Sequence, residues 1–249
     1  MKAIIISDLH IGSRYFLRAN FIQFLQNVPR DHELILNGDI IDNPYAKMSS
    51  ADQALLDVLG EMSLRQPVVW VRGNHDNGFM PDNFEKVKIK RHHALQRHLF
   101  ITHGDYFDEV MPQSQLFIRT FKMLHDFRIR LGARPVHVAQ YAKRWRRFYA
   151  YLRKNVRLNA VNYAKKHGFK AVTCGHTHYA EEQIVNGILY LNTGAWTEQP
   201  AYYVHVTDND IVLKKATHPA HGSNLPDVDP LQLSSVDHQY PDQPLSHQS

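Results

Sequence analysis

With 249 residues, 43% of them apolar, and a formal net charge of +5, the chain has the make-up of a globular protein large enough for a sizeable core. Its single cysteine, Cys174, excludes an internal disulfide and with it an oxidised secreted scaffold, so an intracellular setting is expected. The first apolar run, residues 3 to 6, breaks at Ser7 and Asp8, short of the roughly 7–15 residues of a signal-peptide core, and no run nears the roughly 20 residues of a membrane span.

Apolar, β-branched runs recur at residues 3–7, 33–36, 68–71, 87–89 and 99–102, and segments 16–25 and 51–62 between them carry helical spacing. Alternation of this kind predicts a layered α/β sheet, whose ligand sites gather beyond the carboxyl ends of strands. After Asp105 the pattern turns helical. Phe117, Phe121, Leu124 and Phe127 recur at three- or four-residue intervals and predict a helix over 114–130, closed by Gly132 and Pro135. A second helix carries Val138, Tyr141, Trp145, Phe148, Leu152 and Val156 on one face, and a third is predicted from Leu158 to His167. Strand patterning returns at 170–174 and continues as two hairpins, 182–185 with 189–191 across Asn186-Gly187, and 202–206 with 211–215. Beyond about Thr217 the chain is rich in Pro, His, Ser, Gln and Asp, and a poorly ordered tail is expected.

Charge is distributed unevenly. Between Asp108 and Lys166, 14 Lys and Arg stand against three acids, a local balance of +11 that leaves −6 for the rest. An anionic partner is expected: phosphate, nucleotide, nucleic acid or anionic lipid. The plain alternative is a solvated face of a helical hairpin.

The strand ends carry the chemistry. They read Asp8-Leu9-His10, Gly38-Asp39-Ile40-Ile41-Asp42, Gly73-Asn74-His75-Asp76, His103-Gly104-Asp105 and Gly175-His176-Thr177-His178. One such residue is ordinarily a cap or turn former, but five clusters in the same structural place point to a site. In extended backbone, residues i and i+2 share a face, so Asp8 with His10 and His176 with His178 are each expected to reach one ion. Carboxylate, imidazole and amide oxygen without thiolate suit Mn²⁺, Fe or Zn²⁺ in a catalytic setting. Seven candidates exceed one tetrahedral ion and fit two ions if one carboxylate bridges. His32, His92, His93, His98, His125, His137 and His167 sit at no such spacing and are expected at the surface, and no role is expected for His218, His221, His238 and His247 of the tail.

These ordered blocks resemble the calcineurin-like metallophosphoesterases over residues 4 to about 196. The resemblance implies a four-layer αββα sandwich of two mixed sheets with a dinuclear metal centre. With the element pattern, it implies a phosphoesterase domain over 1–107 and 168–216, a basic helical insertion or lid at 108–167, and a tail at 217–249. It places Asp8, His10 and His178 on one ion, Asn74, His103 and His176 on the other, and Asp39 between, with Mn²⁺ as the expected metal and Fe or Zn²⁺ as alternatives. His75 is left free of metal beside the phosphoryl group, as general acid or stabiliser of developing charge. Asp42 is implied to bond His75 and keep it cationic, and Asp76 is read as a cap of the following turn. Two metals can activate a water and clamp the reacting oxygens, so no side-chain nucleophile is needed.

Within the superfamily, Ile6-Ser7-Asp8-Leu9-His10-Ile11-Gly12, His103-Gly104-Asp105 and the helical insertion are similar to the UDP-2,3-diacylglucosamine hydrolases of lipid A synthesis. That likeness implies cleavage of a pyrophosphate to UMP and 2,3-diacylglucosamine 1-phosphate, with acyl chains held by the lid. Basic insertion residues, represented by Arg144, Arg147, Arg153 and Arg157, would hold the nucleotide phosphates. It implies a cytoplasmic enzyme in peripheral contact with the inner face of the membrane. Best-known members of that family carry Arg where this chain has His75, which leaves open a phosphodiesterase or nuclease acting on cyclic nucleotides or nucleic acid. A non-catalytic scaffold, like the retromer subunit of this fold, is a further alternative, against which the full ligand set and His75 count.

Overall fold

The computed structural model describes residues 1–82, 84–113, 123–124, 127–133, 136 and 138–216. Eleven strands lie among these: β1 (Ala3–Ile6), β2 (Glu33–Asn37), β3 (Val68–Val71), β4 (Lys88–Lys90), β5 (His93–Leu95), β6 (Leu99–Ile101), β7 (Ala171–Cys174), β8 (Glu181–Val185), β9 (Ile188–Asn192), β10 (Tyr202–Val206) and β11 (Ile211–Lys215). One sheet runs β11-β10-β1-β2-β3-β4 and the other β5-β6-β7-β9-β8. Both are mixed. β1 to β4 are parallel, as are β6, β7 and β9, while the hairpin partners at the edges run antiparallel.

Continuous apolar strands follow from burial on both faces. Ile5, Ile35, Val69 and Val71 from the first sheet meet Leu99, Ile101, Ala171 and Leu191 from the second in a core between the sheets. Alternate residues Ile4, Ile6, Leu34, Leu36 and Trp70 point outward to helices α1 (Arg18–Gln26) and α2 (Ser50–Met62). Phe100, Val172, Cys174 and Tyr190 form the outer face of the second sheet, packed on the last long helix. Each fully buried Ile or Leu contributes on the order of 1.5–3 kcal/mol. The outcome is the expected αββα arrangement.

Three differences from the sequence reading have physical causes. Strand β5 lies outside the runs that the sequence predicts as strands, because His93-Ala94-Leu95 offers one buried apolar residue beside charged neighbours. The residues from 138 to 167 divide elsewhere than predicted: α4 (Val138–Ala142) stops early, and α5 (Arg146–Lys166) then runs unbroken. Its buried stripe of Tyr149, Leu152, Val156, Ala160, Val161 and Ala164 keeps helical spacing straight through Leu158, so nothing stops it before Gly168. His32 is buried rather than exposed, with Nδ1 2.8 Å from Asp31 and Nε2 3.1 Å from His205. A short α3 (Val110–Gln113) leads away from the 3₁₀ turn at Asp105–Phe107. The helix predicted over 114–130 lies mostly outside the described residues, as do His125, His137 and the tail from 217 onward.

Candidate metal centre

The loops that follow β1, β2, β3, β6 and β7 converge at one end of the two sheets. Main-chain bonds lace them together: Asp8 N–H donates to Gly38 O at 2.9 Å, His10 N–H to Asp39 O at 3.0 Å, and Gly175 N–H to His103 O at 2.8 Å. Asp8, His10, Asp39, His176 and His178 all have positive φ, between 51° and 63°, and among the described residues only Gln96 and Asn186 are further non-glycine cases. The extended backbone inferred from the i, i+2 spacing is therefore wrong at these pairs. Each chain leaves its strand by a left-handed step that turns the side chains onto the sheet end, and such uncommon backbone concentrates at functional sites.

Glycines permit the close approach. A Cβ on Gly38, whose φ is +84°, would overlap the His103 ring, and one on Gly73 would overlap the Asp39 carboxylate. In the free space so made, one ligand atom from each of Asp8, His10, Asp39 and His178 lies within 4.8 Å of the others. His103 Nε2 stands 3.2 Å from Asp39 Oδ2, and His176 Nδ1 stands 3.2 Å from Asn74 Oδ1. Asp39 thus belongs to both groupings.

Hydrogen-bond roles test whether these atoms suit cations. His10 Nδ1 lies 3.1 Å from Asp42 Oδ1, an arrangement in which the N–H donates and Nε2 is left with a lone pair; that Nε2 faces His178 Nε2 at 3.2 Å. His176 Nε2 lies 2.8 Å from Asp108 Oδ2, which leaves the Nδ1 lone pair directed at the Asn74 amide oxygen. His103 Nδ1 is 3.1 Å from the Asn37 carbonyl, while its buried Nε2 stands 3.2 Å from Asp39 Oδ2 as an ion pair, in which a proton takes the place a metal ion would fill. Acceptors set against acceptors, buried between His10 and His178 and open to solvent at Asn74, repel unless a cation lies between them. The residues present therefore fit divalent metal.

The electrostatics agree. Burial disfavours ionisation of both His103 and Asp39, yet their mutual attraction overrides it. The imidazole is pushed up to about 10, and the carboxyl is held well below the usual carboxylate range. Burial likewise opposes charge on Asp8, and His178 beside it lowers the carboxyl below its ordinary value.

His75 stands half-buried at the lip of this cluster, its ring centroid 4.9 Å from that of His10. Its N–H donates to Asp39 Oδ1 at 2.8 Å, and its Nδ1 lies 2.6 Å from the Asp42 main-chain carbonyl. Asp42 thus serves two histidines, His75 through its backbone and His10 through its carboxylate.

Two acids matter in ways that spacing did not reveal. Asp76 accepts from the N–H groups of Ile40, Ile41 and Gly73 and from Trp70 Nε1 at 2.9–3.1 Å, so it ties the β3 loop to the β2 loop rather than only capping its own turn. Asp108, placed by sequence in the basic block, fixes the His176 ring. Its signal in the sequence is faint: it is one of two adjacent acids, Asp108 and Glu109, at the start of a basic stretch.

The four insertion arginines divide into two pairs. Arg153 and Arg157 lie 2.6 and 3.0 Å from Glu181, and Arg153 stacks 3.2 Å from the Tyr179 ring centroid, so the two share one carboxylate on β8, which offsets half of the charge expected to grip phosphate. Arg144 and Arg147 are exposed, the former 5.9 Å from the Tyr141 ring.

Comparison with known proteins accords with this geometry. Residues 1–180 match the family model described as calcineurin-like phosphoesterase. The chain belongs to that family, and it is of the metal-dependent phosphoesterase type. No curated protein matches it. Among solved structures it is similar to the phosphoesterase Yfce of E. coli at 16% identity, covering 87% of this chain and 100% of that one with a TM-score of 0.44. Two more are the Vps29 of Entamoeba histolytica (14% identity; 86% and 98% covered; TM-score 0.44) and the nuclease MPE of Pseudomonas putida (14%; 85% and 87%; 0.41). No described helix is long and apolar enough to cross a membrane.

Proposed function

We propose that the chain is a dinuclear-metal hydrolase of a pyrophosphate bond, with UDP-2,3-diacylglucosamine or a closely related nucleotide-linked lipid as substrate. The hydrolytic reading rests on two acceptor-facing-acceptor pairs, His10 with His178 and His176 with Asn74, and on Asp39, which reaches both groupings; together they suit two cations. Asp8, His10 and His178 would hold one, Asn74, His103 and His176 the other, and Asp39 both, with Mn²⁺ the proposed metal. When bound, such ions supply an activated water and neutralise phosphoryl charge. His75, as the imidazolium, gives its Nε2 proton to the departing oxygen and is left neutral; its Nδ1–H donates to the Asp42 carbonyl throughout, and its main-chain N–H donates to the Asp39 carboxylate.

The lipid assignment is supported by the insertion, where Met123, Leu124, Phe127 and Leu131 are 47–71% exposed beside a strongly basic sequence. Apolar and cationic side chains together suit acyl chains and peripheral contact with an anionic membrane surface at the cytoplasmic face. A second reading, hydrolysis of nucleic acid, is favoured by the adjacent exposed Arg144, Arg146 and Arg147.

The first test is turnover of bis(4-nitrophenyl) phosphate with Mn²⁺, which His75→Ala and Asp39→Ala should each lower by roughly 100-fold or more. Unchanged turnover in both removes the site. Hydrolysis of the diacylated UDP-sugar is then compared with unacylated UDP-sugars and a single-stranded oligonucleotide. Equal rates with and without acyl chains overturn the lipid assignment.

A further inference from the structure

A cleft of about 520 Å³ opens on the β3 side of the metal centre, bounded by Gly73 of the metal-site loop and by Thr102, which precedes His103. Two arginines line it. Arg72 is half-buried directly after β3, and Arg91 is exposed between β4 and β5; neither has a carboxylate partner among the described residues. The one acid on the wall is Asp105. A half-buried guanidinium without a counter-ion is uncommon, because desolvation is normally offset by a paired charge.

Five rings also line the cleft: His92, Phe100, Tyr106, Phe107 and Tyr163. Ring centroids follow one another from His92 to Phe100 at 5.5 Å, Phe100 to Tyr163 at 4.9 Å, Tyr163 to Phe107 at 5.5 Å and Phe107 to Tyr106 at 5.7 Å. The two ends of this run, His92 and Tyr106, are exposed, Tyr106 by 84%. Aromatic faces beside unpaired guanidinium groups recognise a flat base joined to phosphate: rings stack on the base, and the planar fork of Arg pairs with phosphate oxygens.

We propose that this cleft is the nucleotide subsite: Arg72 and Arg91 hold the phosphate chain of a mononucleotide whose base lies against Tyr106, at one end of the ring run. The proposal rests on the pyrophosphate-hydrolase reading and extends it. Arg153 and Arg157, expected from sequence to grip phosphate, are already engaged by Glu181, whereas Arg72 and Arg91 have no carboxylate partner among the described residues and lie next to the loop that bears Asn74 and His75. The nucleotide would thus enter from the β3 side, opposite in role to the insertion and its apolar side chains.

The test is direct binding rather than turnover. UDP is titrated into the metal-loaded full chain by isothermal calorimetry, with ribose 5-phosphate and a short single-stranded oligonucleotide as comparison ligands. UDP should bind at least 10-fold more tightly than ribose 5-phosphate. Arg91→Gln, an exposed change with little risk to folding, should weaken UDP about 10-fold, Arg72→Lys should weaken it by loss of the fork at constant charge, and Tyr106→Ala should erase most of the advantage over ribose 5-phosphate. Unchanged UDP affinity in all three variants overturns the subsite, as does a greater loss in Arg144→Gln with Arg147→Gln than in Arg91→Gln. An oligonucleotide that binds as tightly as UDP overturns the mononucleotide assignment. If bis(4-nitrophenyl) phosphate is still hydrolysed in a His75-dependent manner when these binding results fail, the subsite alone falls and the hydrolase reading stands.

Discussion

His176 is held from both sides, its Nε2 2.8 Å from Asp108 Oδ2 and its Nδ1 3.2 Å from Asn74 Oδ1. The first contact selects the tautomer in which the nitrogen that faces Asn74 carries a lone pair, the role outer carboxylates have for metal-bound histidines. The other oxygen of Asp108 accepts the N–H groups of Val110 and Met111 at 2.8 and 2.9 Å and so caps α3. Asp108→Asn can keep that cap while losing the charge on the imidazole. We expect it to weaken Mn²⁺ or Zn²⁺ binding roughly 10–100-fold with little change in thermal stability, read by competition with a chromophoric chelator. Unaltered affinity would reduce Asp108 to a helix cap.

Metal binding should strengthen with pH, through His103. In the metal-free protein Asp39 raises this buried imidazole to about 10 against burial, so near neutral pH it carries a proton that an incoming cation must displace. Affinity is expected to climb as pH rises from 6 toward 9, and calorimetry in buffers of different ionisation enthalpy should detect release of a proton. Stability of the metal-free form has the opposite sign. The folded value lies above the ordinary 6.5, so the contribution of this proton is complete below 6.5 and disappears as pH rises through about 10. Proton-independent metal affinity across this range would show that His103 binds no ion.

What the sequence makes legible here is local. β10 and β11 coincide with the predicted hairpin because alternation and turn chemistry act within a few residues. The five clusters can be recognised because each interrupts an apolar strand with polar residues. Non-local pairings are invisible. Glu181 reaches Arg153 and Arg157 across 28 and 24 residues, and no pattern in a basic helix marks which of its charges are already matched. The contact from His75 to a main-chain carbonyl is equally hidden, since spacing selects residues and not atoms. Positive φ at Asp8 and His178 is tertiary in origin, imposed by neighbouring loops that the residues themselves do not announce.

Removing the carboxylate that anchors the insertion should be costly. Glu181 is 7% exposed, and both guanidinium groups it meets are largely buried. Glu181→Ala leaves two cations without a counter-charge, and breaking such a buried pair costs about 3–5 kcal/mol. Urea unfolding followed by far-ultraviolet circular dichroism measures this. Because Arg153 also stacks on Tyr179, adjacent to His178, the variant should lose metal affinity as well. A loss of less than about 1 kcal/mol, the worth of a surface pair, would mean that Glu181 does not hold α5 to β8.

Gly73 offers the sharpest separation of fold from site. Its Cβ position is filled by the Asp39 carboxylate and main-chain nitrogen, while its own N–H donates to Asp76 Oδ2 at 2.9 Å. Gly73→Ala therefore cannot keep both the Asp39 position and the Asp76 tie. Asp76 also holds Ile40, Ile41 and Trp70, so the loop stays fastened and Asp39 is the group that must move. Asp39 supplies the contact to His103 and the acceptor for His75 N–H, and both shift with it. The expected result is loss of metal binding by more than about 10-fold, as for disturbed supporting groups of metal sites, in a protein that still unfolds cooperatively. The same substitution at Gly168, where no atom lies within 4 Å of the added Cβ, strains its positive-φ backbone but leaves the metal site intact, and serves as the control. Equal metal affinity in the two variants would mean that the close approach of Gly73 to Asp39 does not position the centre.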